Sequence, residues 1–234
     1  MSDHYLLIAV LIVLIGGAVK GYRRGFLRLA VWFAVLIASL FIVTKVSPYV
    51  SDFLIKNTTL YDNVREKIIR AYETKNEEDL KSIEKDGGSD KEDDLIDSFG
   101  FPDIISDTLR SNNTSDIYNR LAVTIFRDYI AGYLSALSIK AGTFVGLFLL
   151  LAIIWLILIT AIKILEKIPV LRTFNRLLGM AMGITLSLVF VWVFFLATMM
   201  FFANSFGNWV FAQVKADPIL TYLFNNNILF ELIR

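Results

Sequence analysis

Lys20-Gly21-Tyr22-Arg23-Arg24-Gly25-Phe26-Leu27-Arg28 joins two apolar runs, Leu6–Val19 and Leu29–Val43. This connector carries four positive charges and no negative one. A short basic loop between two hydrophobic segments stays on the cytoplasmic side of a membrane. The runs are 14 and 15 residues long, about 21–23 Å at 1.5 Å per residue. A hydrocarbon core is about 30 Å thick, so Tyr5, Lys20, Thr44 and Lys45 are expected to extend both helices, the lysines snorkelling. The rival expectation is a re-entrant hairpin.

Two further runs, Ala141–Ile162 and Leu177–Ala203, hold 22 and 27 residues without a charge and are long enough to span. Residues 163–176 between them carry Lys163, Lys167, Arg172 and Arg176 against Glu166 alone. Both short connectors are therefore basic and two spans apart. The positive-inside rule and helix counting then agree: both basic turns inside, both termini and the long middle region outside.

The sequence predicts an all-α polytopic membrane protein with four transmembrane helices. A transmembrane hairpin (1–47) precedes an extracytoplasmic insert (48–140), helical at its flanks and partly disordered at its centre. A second hairpin (141–203) and an interfacial tail (204–234) follow. The insert has 12 Lys+Arg and 18 Asp+Glu. Its centre, Glu73 to Gly100, is too charged and too poor in apolar residues to bury a core; the acidic run is read as a solvated linker because it lacks calcium-loop spacing. Val64, Ile68, Ile69 and Tyr72, and likewise Ile117, Leu121, Ile125 and Tyr129, recur at helical spacing. Asn63 and Asp116 are expected as N-caps, and Pro48 is expected to end the second membrane helix. The tail is aromatic and broken by Pro218 and Asn225-Asn226-Asn227, as expected of short helices at the headgroup level.

Composition supports the membrane assignment. The chain is 56% hydrophobic with a mean hydropathy of +0.61, and the excess lies in blocks. The net charge of +1 gives no field for nucleic acid. Absence of cysteine excludes disulfides, thiolate catalysis and cysteine-bound metals. The single histidine, His4, sits at the edge of the first apolar run and is expected to be an interfacial polar residue. The N-terminus lacks the charge of a cleaved signal peptide, so the first segment is expected to be retained.

No ionisable residue falls inside the apolar cores, which disfavours an ion-coupled pump. Ser39, Thr160, Thr185, Ser187 and Thr198 are polar at depth and are expected to bond backbone carbonyls. No nucleophile elbow, zinc motif or phosphate loop is present; the expectation is a non-enzyme with no cofactor, no metal and no small-molecule substrate. Small residues four apart recur as Gly17/Gly21/Gly25, Ala34/Ala38, Gly142/Gly146 and Gly179/Gly183. Such rows let helix backbones approach in lipid and predict a tight bundle, a homo-oligomer or pairing with another membrane protein. The basic residues Lys20, Arg23, Arg24, Arg28, Lys163, Lys167 and Arg172 are read as setting topology and meeting anionic headgroups.

Two phrases carry a resemblance. Gly21-Tyr22-Arg23-Arg24-Gly25-Phe26 resembles the Gly-Tyr-x-x-Gly-Phe turn of the bacterial colicin V production protein family. Asn175-Arg176-Leu177-Leu178-Gly179-Met180-Ala181-Met182-Gly183 resembles the Asn-Arg-x-x-Gly-x-x-x-Gly opening of that family's last helix. The likeness spans roughly residues 1–47 and 141–202. It departs at Leu7, Leu29, Leu186 and Ser187, where the family commonly has polar residues or glycine. The resemblance implies a bacterial inner-membrane protein supporting bacteriocin production or export and envelope homeostasis, as a scaffold or small pore. A channel or transporter, and an envelope sensor acting through the acidic insert, are the alternatives.

Overall fold

The computed structural model describes residues 4–71, 93, 96–97, 99–112, 126–162 and 172–233. Among them every regular element is a helix. These are α1 (Tyr5–Arg24), α2 (Phe26–Asn57), α3 (60–71), α4 (Asp103–Ser111), α5 (Phe126–Ile162) and α6 (Arg172–Thr198). A 3-10 turn (Met199–Phe201) continues α6, and α7 (Ser205–Ala216), α8 (Pro218–Asn225) and α9 (Ile228–Glu231) follow. The chain is an all-α polytopic membrane protein: α1, α2, α5 and α6 are long and apolar enough to cross a bilayer.

The two short apolar runs are extended as expected. α1 has 20 residues and takes in both Tyr5 and Lys20; that is about 30 Å, one hydrocarbon thickness. α2 has 32 residues and α5 has 37, so each exceeds that thickness by several turns. Their surplus lies at one end of the bundle, where it carries a folded cap. The boundaries drawn at 47/48 and 140/141 thus fall inside continuous helices.

Pro48 does not end α2, which runs on to Asn57. An interior proline costs one helix hydrogen bond, about 3 kcal/mol in all, but packing of α2 against α5 and α6 holds the helix together. Ser47 and Ser51 are buried on the same stretch, and Ser51 Oγ donates to the Pro48 carbonyl at 3.0 Å. Asn63 is likewise not a cap. It sits in the first turn of α3, its N–H bonded to the Thr59 carbonyl, while Thr58 Oγ1 accepts from Leu60 N at 3.2 Å. Asp116, the helix expected around Ile117 to Ile125, and residues 73–92 of the charged centre lie outside the described residues.

α6 is the hub. It lies against α1 along its first half, α2 and α5 also pack on it, and α2 runs along α5. Outward residues such as Ile8, Ile12, Ile15, Phe41, Ile153, Ile157 and Phe190 are exposed and apolar, as lipid-facing surfaces must be. The most deeply buried core is instead at the cap end, and the tail is part of it. Val210, Phe211, Val214, Leu220, Phe224 and Phe230 are buried in one core with Phe101, Phe195 and Phe202, and Phe211 and Phe224 make ring contacts with Phe101, Phe202 and Phe195. Trp209, Tyr222 and Ile228 remain exposed on the other face.

Polar groups specify how the cap docks. Trp192 Nε1 donates to the Leu223 carbonyl (3.0 Å) and Asn227 Nδ2 to the Trp192 carbonyl (3.1 Å). Asn225 joins α4 to the tail, donating to Asp103 Oδ2 (3.1 Å) and accepting from Ile104 N (3.4 Å). Arg65 pairs with Asp128 at 3.0 Å, tying α3 to the start of α5. Burial works against the Arg110 charge, but the hydrogen bond that Arg110 donates to Asp97 and the carboxylates of Asp97, Asp93 and Asp107 outweigh it and hold the guanidinium above its ordinary pKa.

Asp217 is the hinge of the tail. Buried at the α7–α8 junction, it accepts from Ile219 N (2.9 Å) and Leu220 N (3.1 Å), an N-cap followed by proline at the first helical position. Its second oxygen lies 3.3 Å from His4 Nδ1, so the lone histidine joins the start of α1 to the tail. Asp217→Ala should cost about 0.5–2 kcal/mol through the lost cap. Hydrogen exchange should then accelerate across residues 218–225 with the α1–α6 region unchanged; equal protection in the variant would refute the hinge role.

Candidate functional site: the glycine crossing of α1 and α6

The two phrases singled out in the sequence meet in space. Glycines recur every fourth residue on α1, so one per turn faces the same way, and α6 presents Gly179 and Gly183 to them. A β-carbon built at Gly21 would lie 2.1 Å from the Gly179 carbonyl oxygen and 3.0 Å from Gly183 Cα. One at Gly183 would lie 2.2 Å from the Gly17 carbonyl oxygen. The backbones are in direct contact, at a distance only glycine permits. Gly17 faces Ser187, whose Oγ would lie 1.7 Å from a β-carbon at Gly17. Ser187, expected to bond a backbone carbonyl, is instead a wall of the crossing. Ser39, Thr185 and Thr198 do bond carbonyls, of Val35, Ala181 and Phe195 respectively.

Gly25 closes the crossing. It separates α1 from α2 with φ 79° and ψ 161°, a region open essentially to glycine alone. Its N–H donates to the Gly21 carbonyl at 2.9 Å. The Asn175 side-chain amide fills the space beside it: a β-carbon at Gly25 would sit 2.2 Å from Asn175 Nδ2. One residue on, the Arg176 guanidinium lies over the Tyr22 ring, 5.7 Å from its centroid. Thus Gly21, Tyr22, Gly25, Asn175, Arg176, Gly179 and Gly183 form one constellation.

No family model, curated protein or solved structure matches this chain. The site is therefore interpreted from its own geometry.

Phe26 is half-buried at the first position of α2, while Lys20, Arg23 and Arg24 are exposed around the end of α1. Lys163 and Lys167 lie outside the described residues, as do the side chains of Arg28 and Arg172. Of the remaining small pairs, Gly142 meets only the Met200 side chain and Gly146 has nothing within 4 Å of a built β-carbon. Of the arrangements the rows predict, the structure shows the tight bundle: Gly17, Gly21, Gly179 and Gly183 pack on one another within the chain. No group of three His, Asp or Glu placed to hold a metal occurs among the described residues.

Chemically, the crossing is a rigid clamp with a cationic rim. It places the Arg176 guanidinium over the Tyr22 ring, with Lys20, Arg23 and Arg24 exposed at the same end of the bundle.

Proposed function

We propose that this chain is a multi-pass scaffold of the bacterial inner membrane, supporting peptide-toxin production or export and envelope homeostasis, as its resemblance to the colicin V production proteins implies. The observation that supports this reading best is the convergence of the two resembling phrases on one structural unit, the α1–α6 clamp. A passive pore is less well supported, because backbone contact along α1 and α6 leaves no space between those helices. In this reading the basic end faces the cytoplasm, and the cap and both termini face outward. Self-assembly, if it occurs, uses the α2 and α5 faces, since the glycine rows of α1 and α6 are covered.

The test is a deletion strain scored for secretion of a peptide bacteriocin and for detergent sensitivity. Reduced secretion and raised sensitivity, both restored by the wild-type chain, are expected; unchanged phenotypes would refute the role. In the same cells a cysteine at Lys56 should react with an impermeant maleimide and one at Arg24 should not. Labelling of the Arg24 variant from outside would reverse the orientation.

A further inference from the structure

His4 is the chain's only histidine, and imidazole is the side chain whose charge ordinarily changes between pH 5 and 8. It stands at the N-cap of α1, with Nδ1 at 3.3 Å from one carboxylate oxygen of Asp217. Asp217 is buried at the hinge of the tail. Its other oxygen accepts the Ile219 and Leu220 N–H groups. One short contact thus joins the start of α1 to the residue that caps α8.

Protonation changes this contact in kind. An imidazolium has an N–H on both ring nitrogens and a positive charge, so Nδ1 always donates to the carboxylate. A neutral imidazole has a single N–H. In one tautomer a lone pair on Nδ1 faces the carboxylate oxygen; in the other the hydrogen bond survives without a charge on its donor. The dipole of α1 disfavours a cation at its N-terminus, but that cost is the same whether or not the tail is docked. Docking therefore gains from protonation through the pair alone, and acid tightens the contact.

Few other charges surround the pair. The next charged residue on α1 is Lys20, and α6 has none between Arg176 and Thr198. α7 carries Lys215 and α9 carries Glu231, both exposed. Tyr5 and Tyr222 are exposed phenols, a class that titrates well above pH 8. Asp103 of α4 meets the far end of α8, at Asn225. Asp3 lies outside the described residues.

We propose that His4 and Asp217 form a pH-sensitive latch: protonation of His4 tightens the docking of the tail on the start of α1, and deprotonation loosens it at the α7–α8 hinge. The latch does not depend on which side of the membrane the tail faces or on any role in toxin export, so it stands or falls separately from the function proposed above.

Hydrogen exchange of the full chain, purified in mild non-ionic detergent, is followed at pH 5.5 and pH 8. Each amide's rate is divided by its unstructured-chain rate at the same pH. Protection across residues 218–225 should be about two- to fivefold higher at pH 5.5, the worth of a half-exposed ion pair, with the α1–α6 crossing equally protected at both. His4→Gln should abolish the difference by removing the titrating group. Asp217→Asn should abolish it too while α8 stays formed, because asparagine caps a helix as well as aspartate does. Asp3→Asn should keep it. Equal wild-type protection at the two pH values, or a difference that survives in His4→Gln or Asp217→Asn, would overturn the latch. Loss of the difference in Asp3→Asn would overturn the assignment of Asp217 as the partner.

Discussion

Alanine at Gly21 or Gly179 should lower the melting temperature of the purified protein in detergent, whereas the same change at Gly146 should leave it unchanged or raise it. The contrast follows from one added methyl group meeting different surroundings. At Gly21 it would lie 2.1 Å from a backbone carbonyl oxygen, and at Gly179 it would lie 2.5 Å from one. A backbone carbonyl inside a helix cannot rotate aside, so α1 and α6 must separate. Overpacking of this kind costs about 1–3 kcal/mol, against a helix-propensity gain of about 1 kcal/mol for replacing glycine. At Gly146 nothing lies within 4 Å, and only the gain remains. Once one alanine has separated the helices, the second meets less resistance. The double variant should therefore lose less than the sum, with a coupling of about 0.5–3 kcal/mol. Parallel melting of the Gly21→Ala and Gly146→Ala proteins would show that α1 and α6 do not touch.

That contrast also marks where the sequence stops being informative. Charge and apolar run length are local properties, and run length located the four helices long and apolar enough to span. Glycine spacing is local too, and it put Gly17 and Gly21 on one helix face, with Gly25 at the turn that ends it. The identity of the facing helix is not local. Gly142/Gly146 has the same spacing, yet Gly146 opens on empty space. A second copy was as good a partner for the glycine rows as α6, because both would bring small residues together.

Pro48 and the tail show how packing adds to local preference. Proline's local preference is to end a helix, but packing of α2 against α5 and α6 overrides it. The tail's aromatics suit an interface, and half of them do face outward. Phe211, Phe224 and Phe230 turn inward, and Trp192 and Asn227, 35 residues apart, tie the tail to α6. Asp217-Pro218 was the one legible clue to the tail's order, since an aspartate before proline caps and starts a helix at once. The site followed the same rule: Tyr22 and Arg176 were each conspicuous, but their stacking depends on the glycine contact between α1 and α6.

Gly25→Ala should be the more damaging change, because two independent obstacles meet at that residue. Holding alanine at φ 79°, ψ 161° costs about 1–3 kcal/mol of backbone strain. Its methyl would also lie 2.2 Å from the Asn175 amide. Asn175→Ala in the same chain removes the second obstacle and leaves the first. The melting temperature should therefore drop sharply in Gly25→Ala and recover only in part in Gly25→Ala/Asn175→Ala. Full recovery would mean that the turn relaxes to an ordinary conformation and glycine is needed there only for space. No recovery would mean that Asn175 does not seat against the turn. Partial recovery would show that one glycine both reverses the chain between α1 and α2 and receives the start of α6. In that case the basic turn and the Asn175-Arg176 opening of α6 are energetically one unit, although 150 residues of sequence separate Gly25 from Asn175.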